Sequence, residues 1–205
     1  QITKENGLRS HNFTKILEDK DGNMWFAYDD HGIDVYDGVY LYNYNDKNYL
    51  KANNIYDLVI DSFDNIWIAS YSGGLCQFNG SEFIWLDETN GLSGEHVISL
   101  TTDDSGNVWA GTDGDGLDII NLNSFQNLNK GNGLLNDYIY AMCEDQNQQI
   151  WFGGEEGELM LFKNNQYYTL PQFDSILDKQ INKIYEDSKG RISVSYTHLR
   201  AHETS

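Results

Sequence analysis

The stretch V-I-S-L-T-T-D-D-S-G-N-V-W-A-G-T-D-G-D-G-L-D-I-I, residues 97–120, decides the fold. Val97 to Thr102 alternates apolar and polar side chains, which is the period of a strand with one face buried. Val108 to Thr112 and Leu117 to Ile120 are two further short runs of β-type composition. Between the first two runs lies Asp103-Asp104-Ser105-Gly106-Asn107. Its small residues, with a glycine free to take positive φ, make a tight hairpin turn. Three strands within 24 residues leave no room for a helical period.

The same pattern recurs on both sides. Trp25, Trp67, Trp109 and Trp151 are spaced by 42 residues without a gap, and Asp19, Asp61, Asp103, Asp145 and Asp187 keep the same step. Asn6, Asn48, Asn90 and Asn132 each precede a leucine by two, at Leu8, Leu50, Leu92 and Leu134. One apolar column runs Ile16, Leu58, Leu100, Met142, Ile184, and another Ile33, Leu75, Leu117, Leu159. A fourth, weaker strand falls near Phe125, aligned with Leu41, Phe83 and Tyr167. Four short antiparallel strands in a unit of this length make the blade of a β-propeller, where radial repetition protects the sheet edges. Helical repeats would need stripes of period 3.6, and Gly, Asn and Asp break these runs every few residues. The expected fold is all-β: four blades and the start of a fifth over residues 1–192, an incomplete propeller.

Composition narrows the partners. A net charge of −19 and a pI near 4.3 argue against nucleic acid and against direct contact with anionic membrane, both of which need a cationic face. No apolar run approaches the roughly 20 residues of a membrane helix. No signal peptide opens the chain and it does not begin with Met, so a fragment or a processed chain is expected. Cys76 and Cys143 fall in different columns of the repeat, which reads as two buried thiols and gives no disulfide or metal framework. No cofactor is expected.

The recurring string is D-K-D-G-N-M-W-F-A from Asp19, D-S-F-D-N-I-W-I-A from Asp61, D-D-S-G-N-V-W-A-G from Asp103 and D-Q-N-Q-Q-I-W-F-G from Asp145. Each is followed by a small-residue loop and a G-[IL] or E-L step, and N-G-L segments begin at Asn6, Asn90 and Asn132. This combination resembles the two-component regulator propeller repeat, over residues 1 to about 192. The resemblance implies a piece of the extracytoplasmic, periplasmic sensor region of a bacterial histidine kinase, notably of the hybrid two-component systems of Bacteroidetes. Such regions are built of paired propellers and respond to glycan fragments. It further implies an oligosaccharide ligand, the remaining blades and a second sensor subunit in a homodimer as partners, and no kinase core within this chain. Asp64 and Gln148 stand where the turn glycine is expected, and Glu158 where a glycine precedes Leu159, which puts the turn geometry in question.

The tryptophan column could serve as a ladder of sugar-stacking platforms. A residue repeated at one strand position in every blade is better explained by blade-to-blade packing. The Asp-rich turns do not fit a calcium loop, since counting from Asp19 puts Met24 where such a loop needs Gly and Asp30 where it needs a bidentate Glu. The Asp113-Gly114-Asp115-Gly116 loop is more permissive of a cation, yet its neighbours suit an ordinary loop.

Function is sought in the columns that vary. The loop after the tryptophan strand is the most variable short connection, and its hydrogen-bond acceptors and aromatic faces match what a hydroxylated ligand uses. The ligand-binding candidates there are Tyr28, Asp29, His31, Tyr71, Asp113, Asp115 and Glu155. The alternative is a plain solvated loop, the default for such segments. Trp85 lies out of column, aligned with Asn43, Asn127 and Thr169, and suits an outer-strand contact, an interface or a ligand equally. His11, His31 and His96 have no metal spacing, and no G-x-S-x-G motif or paired histidine signals a nucleophile.

The 42-residue step predicts tryptophan at position 193, where serine stands. From there S-V-S-Y-T-H-L-R-A-H-E-T-S lacks the repeat's features and resembles translated adaptor or vector sequence on truncated proteins. Residues 193–205 are therefore expected to be foreign, whereas a degenerate last blade would pack them as strands. Two other functions compete with ligand sensing. One is a streptogramin B lyase propeller, whose G-x-[LI]-W-F motif is similar to Gly22-Asn23-Met24-Trp25-Phe26. The other is a scaffold that binds protein on its propeller faces.

Overall fold

The computed structural model describes residues 7–121, 124–155, 157–164, 166–170 and 179–198. Blade 1 comprises β1 (Lys15–Glu18), β2 (Met24–Ala27), β3 (Ile33–Tyr36) and β4 (Leu41–Tyr44). Blade 2 comprises β5 (Ile55–Ile60), β6 (Ile66–Ser70), β7 (Gly74–Phe78) and β8 (Phe83–Leu86). Blade 3 is β9 (Val97–Thr102), β10 (Val108–Thr112), β11 (Leu117–Asn121) and β12 (Ser124–Leu128). Blade 4 is β13 (Ile139–Glu144), β14 (Ile150–Gly154), β15 (Leu159–Lys163) and β16 (Gln166–Thr169). A fifth, two-stranded sheet pairs β17 (Lys179–Glu186) with β18 (Ile192–His198). Every sheet is an antiparallel meander in chain order, and the first strands β1, β5, β9, β13 and β17 pack against one another in sequence along the axis. The sheets do not close a ring, so the propeller is incomplete.

The conserved pair of columns makes a joint at each hairpin. Trp25, Trp67, Trp109 and Trp151 donate their indole N–H to Asp19, Asp61, Asp103 and Asp145, at 2.8–2.9 Å. The other oxygen of each carboxylate accepts the backbone N–H two and four residues on, which closes the turn. One aspartate thus fixes the turn and the indole orientation together. The rings then fill the spaces between blades. Trp25 packs with Leu58, Ile66 and Ile68 of blade 2, Trp67 with Val97, Leu100 and Val108 of blade 3, and Trp109 with Ile139, Ile150 and Phe152 of blade 4. Trp25, Trp67 and Trp109 are buried in these joints, and Trp151, which faces the two-stranded fifth sheet, is half-buried. At the opposite end Ile16 is 48 % exposed, against 0 % for Leu58 in the same column.

The turn geometry survives the loss of glycine. Gly22, Gly106 and Gly190 take φ of 81°, 80° and 75°, and Asp64 and Gln148 take 65° and 61°. Both substitutes reach the preceding blade's turn, where Lys20 donates to Asp64 at 2.8 Å and Gln148 donates to Asp104 at 2.9 Å.

Blades 1 and 3 share a feature absent from blades 2 and 4. Asp34 and Asp118 are fully buried on their third strands, opposite Asn43 and Asn127 on the fourth. Asp34 accepts from Asn43 at 2.8 Å and from the backbone N–H of Arg9 at 3.0 Å. Asp118 accepts from Asn127 and from the backbone N–H of Ser93. In blades 2 and 4 the paired positions are Cys76 with Trp85 and Met160 with Thr169. Trp85 is thereby placed as an outer-strand residue, its indole N–H donating to the Tyr49 carbonyl at 3.4 Å and its ring lying under the Lys51 ammonium. Cys76 is fully buried and Cys143 half-buried, and burial pushes the Cys76 thiol up to about 12.

Strand structure runs past residue 192 into the segment expected to be foreign. Ser193 to His198 continue β18, and Ser193 stands opposite Tyr185 in the register where the tryptophans stand opposite Leu17, Val59, Thr101 and Cys143. Ile192 and Val194 pack toward blade 4, while Ser193 and Ser195 face solvent. Asp187 takes the Arg191 guanidinium, at 2.6 Å, in place of an indole. Residues 199–205 lie outside the described residues.

Candidate functional site

Strand β5 carries a register shift between Ile55 and Asp57, β9 is opposed by a shift between Gly111 and Thr112, and β13 and β17 shift between Ile139 and Ala141 and between Ile181 and Lys183. The residue left over at each irregularity is Tyr56, Ile98, Tyr140 or Asn182, a single column of the repeat. A bulge re-aims the side chain it carries. All four of these side chains line one cavity of 390 Å³ at the end of the axis, together with Tyr71, Asp113 and Gln180. The cavity continues into a groove of 780 Å³ along the innermost strands, reaching Asp57, Glu144 and Lys183.

Asp113 is the centre of the arrangement. Tyr71 from blade 2 donates its phenol to one carboxylate oxygen at 2.9 Å, and Tyr140 from blade 4 donates to the other at 3.0 Å. The Asp113 backbone N–H donates to the His96 carbonyl at 2.9 Å, which ties the loop to the start of β9. The imidazole of His96 stacks on Tyr71, with centroids 4.4 Å apart and planes within 11°, and Tyr56 packs against Tyr71 in a tilted contact at 5.7 Å. Tyr138 meets Tyr140 edge-on at 6.2 Å. Three blades thus contribute to one aromatic and acidic mouth.

The electrostatics hold both phenols protonated. Tyr71 is raised above the ordinary tyrosine value, chiefly because its hydroxyl donates to Asp113 and then because of that carboxylate's charge. Tyr140 is raised by burial first, then by the Asp113 charge and hydrogen bond, then by Glu155. A phenol that has donated its proton offers the cavity only lone pairs. Lys15 of blade 1 is paired with Asp57 at 2.6 Å in the groove below.

The structure gathers some of the candidate residues and separates others. Tyr71 and Asp113 line the cavity, and Glu155, in the same column one blade later, acts on Tyr140 through its charge. Asp29 holds that column in blade 1, where it is exposed and its carbonyl accepts from Asn54. Tyr28 is corrected as a ligand candidate: it is fully buried, donates to Asp34 at 2.8 Å and belongs to the cluster of Leu8 and Phe26. His31 pairs with Asp30, and Asp115 lies against Gly94, both away from the cavity. The sequence reading missed Tyr56, His96, Tyr138 and Tyr140. Their signal was present in two irregular columns, Thr14/Tyr56/Ile98/Tyr140/Asn182 and Asn12/Asn54/His96/Tyr138/Gln180. Among the described residues no three His, Cys, Asp or Glu side chains are grouped to hold a metal ion.

Constant columns that join blades, and irregular columns that meet at one end of the axis, define a repeat-built β-propeller with an axial cavity. The family described as two component regulator propeller matches residues 7–30, 49–72, 91–114 and 133–156, one match in each of the four blades. The chain belongs to that repeat family. Among solved structures it is similar to the extracellular domain assigned to a hybrid two component system of B. thetaiotaomicron, with TM-score 0.75 and 24 % identity over 91 % of this chain and 26 % of that one. A second such domain from the same organism gives TM-score 0.78 and 20 % identity over 94 % and 29 %. A virginiamycin B lyase from Staphylococcus aureus gives TM-score 0.72 and 16 % identity over 92 % and 65 %. The chain therefore spans less than a third of the length of the two sensor domains. No curated protein matches it.

Proposed function

We propose that this chain is the ligand-binding part of an extracytoplasmic sensor of the two-component type, responding to glycan fragments by binding alone. The observation that carries the reading is the convergence of Tyr71, Asp113 and Tyr140 from three blades on one 390 Å³ cavity, in a chain whose other repeated residues are spent on packing. Aromatic faces with a few fixed polar groups are what a hydroxylated ligand uses for stacking and hydrogen bonding. The family and the extracellular sensor domains of similar fold support the sensor setting and an extracytoplasmic location. The further blades and a second sensor subunit are its natural partners in that setting. Screening the chain against an oligosaccharide library tests the reading: a specific binder should be lost on Tyr71→Ala, and binding that survives removal of Tyr71 and Tyr140 together would refute it.

A lyase reading draws on the virginiamycin lyase fold and on His96 and Glu155, which both lie near the axial end. Incubation with a streptogramin B antibiotic separates the two readings, since ring opening of the antibiotic would favour the enzyme.

A further inference from the structure

We infer that the axial mouth is built to receive hydrogen-bond donors, so that it takes neutral or amino sugars and rejects those carrying carboxylates or sulfates. The inference rests on the proposed reading of the cavity as a sugar site and concerns which sugars can enter.

The reasoning follows the protons. Asp113 is acceptor-only when ionised, and its two oxygens already hold the phenol protons of Tyr71 and Tyr140. Those two phenols therefore face the cavity as acceptors. Glu155 adds a second carboxylate close enough to perturb Tyr140. Of the remaining polar lining, Gln180 and Asn182 offer both donors and acceptors and Tyr56 offers one hydroxyl. Among the described residues no lysine or arginine lines this cavity, and Lys15 and Lys183 lie in the groove beneath it. A sugar hydroxyl or an ammonium brings the protons such a surface needs. A uronate or sulfate brings only lone pairs and a like charge.

The stacked faces agree with this choice. The Tyr71–His96 pair presents a flat aromatic surface beside Asp113. A ring face beside a carboxylate suits the C–H face of a neutral pyranose, and an ammonium gains from the ring quadrupole as well.

The test uses matched ligands on the intact chain. Oligosaccharides of neutral hexose, of the same hexose oxidised to the C6 uronate, and of its 2-amino counterpart are compared by calorimetry at one ionic strength. Bringing like charges together discriminates by at least about tenfold, so the neutral or amino series should bind that much more tightly than the uronates. The variant Glu155→Gln removes one negative charge beside Tyr140 and should narrow the gap by improving uronate binding relative to neutral binding. Uronate binding equal to or tighter than neutral binding would overturn the charge inference and leave the sugar reading standing. Failure of all three series to bind would overturn the sugar reading and this inference with it.

Discussion

Removing the carboxylate of Asp103 tests the joint on which the repeat depends. Asp103 accepts four hydrogen bonds, from the backbone of Ser105 and Asn107, the Asn107 amide and the Trp109 indole, at 2.8–3.0 Å. Trp109 is 1 % exposed, and Asp103→Ala leaves its indole N–H without its protein acceptor. An orphaned buried donor costs about 1–3 kcal/mol, and hydrogen bonds to a charged group are worth about 1.5–3 kcal/mol each. Water at the exposed turn recovers part of the backbone share. The expected loss is about 3–4 kcal/mol, read from urea unfolding followed by tryptophan fluorescence. Trp109→Phe keeps most of the ring burial and removes the donor, for a loss of about 2 kcal/mol. The double variant should then cost at least about 1 kcal/mol less than the two losses added together, because the orphaned indole is gone. The same change at Asp145 should cost less, since Trp151 is only half-buried. Additive losses at Asp103 and Trp109, or an Asp145→Ala loss equal to that of Asp103→Ala, would refute the reasoning.

Two further outcomes follow from the turns. Gln148→Gly should raise thermal stability, by about 0.5–1 kcal/mol, since a residue with φ of 61° pays for left-handed backbone and the exposed bond to Asp104 returns little; a drop in the melting temperature would contradict this. Asp87 is held down to about 2 by hydrogen bonds from Lys51 and Thr89. Its folded pKa is below its unfolded one, so its stabilising effect is present above about pH 4 and lost as pH falls through about 2. Asp87→Asn should therefore flatten the acid limb of the stability profile and leave its shape above pH 5 unchanged; an unaltered acid limb would count against it.

Much of this architecture was legible in the residues because packing imposes identity. Each blade buries the same face, so Trp25, Trp67, Trp109 and Trp151 and their aspartates repeat without drift. The axial cavity was harder to read for the converse reason. A column running Thr14, Tyr56, Ile98, Tyr140, Asn182 looks like noise in a strand pattern, and nothing local announces the irregularity in pairing that turns those side chains toward the axis. Tyr28 misled because it sits beside Asp29 in a polar loop, while its hydroxyl is claimed by Asp34, six residues on. Beyond residue 192 the missing tryptophan drew attention away from Ile192, Val194 and Tyr196, whose alternation is that of a strand.

The buried Asp34–Asn43 and Asp118–Asn127 pairs make neighbouring blades non-equivalent. Each pair lies within a single blade, carboxylate on the third strand and amide on the fourth, so a blade moved whole carries its buried polar contact with it. The vulnerable seam therefore runs inside blades 1 and 3 and not between blades. A crossover that joined their third strands to the fourth strand of blade 2 or 4 would set Asp34 or Asp118 against Trp85 or Thr169, with the amide gone. Recombining such propellers at blade boundaries should preserve every buried pair, whereas a cut between the third and fourth strands leaves a carboxylate stranded.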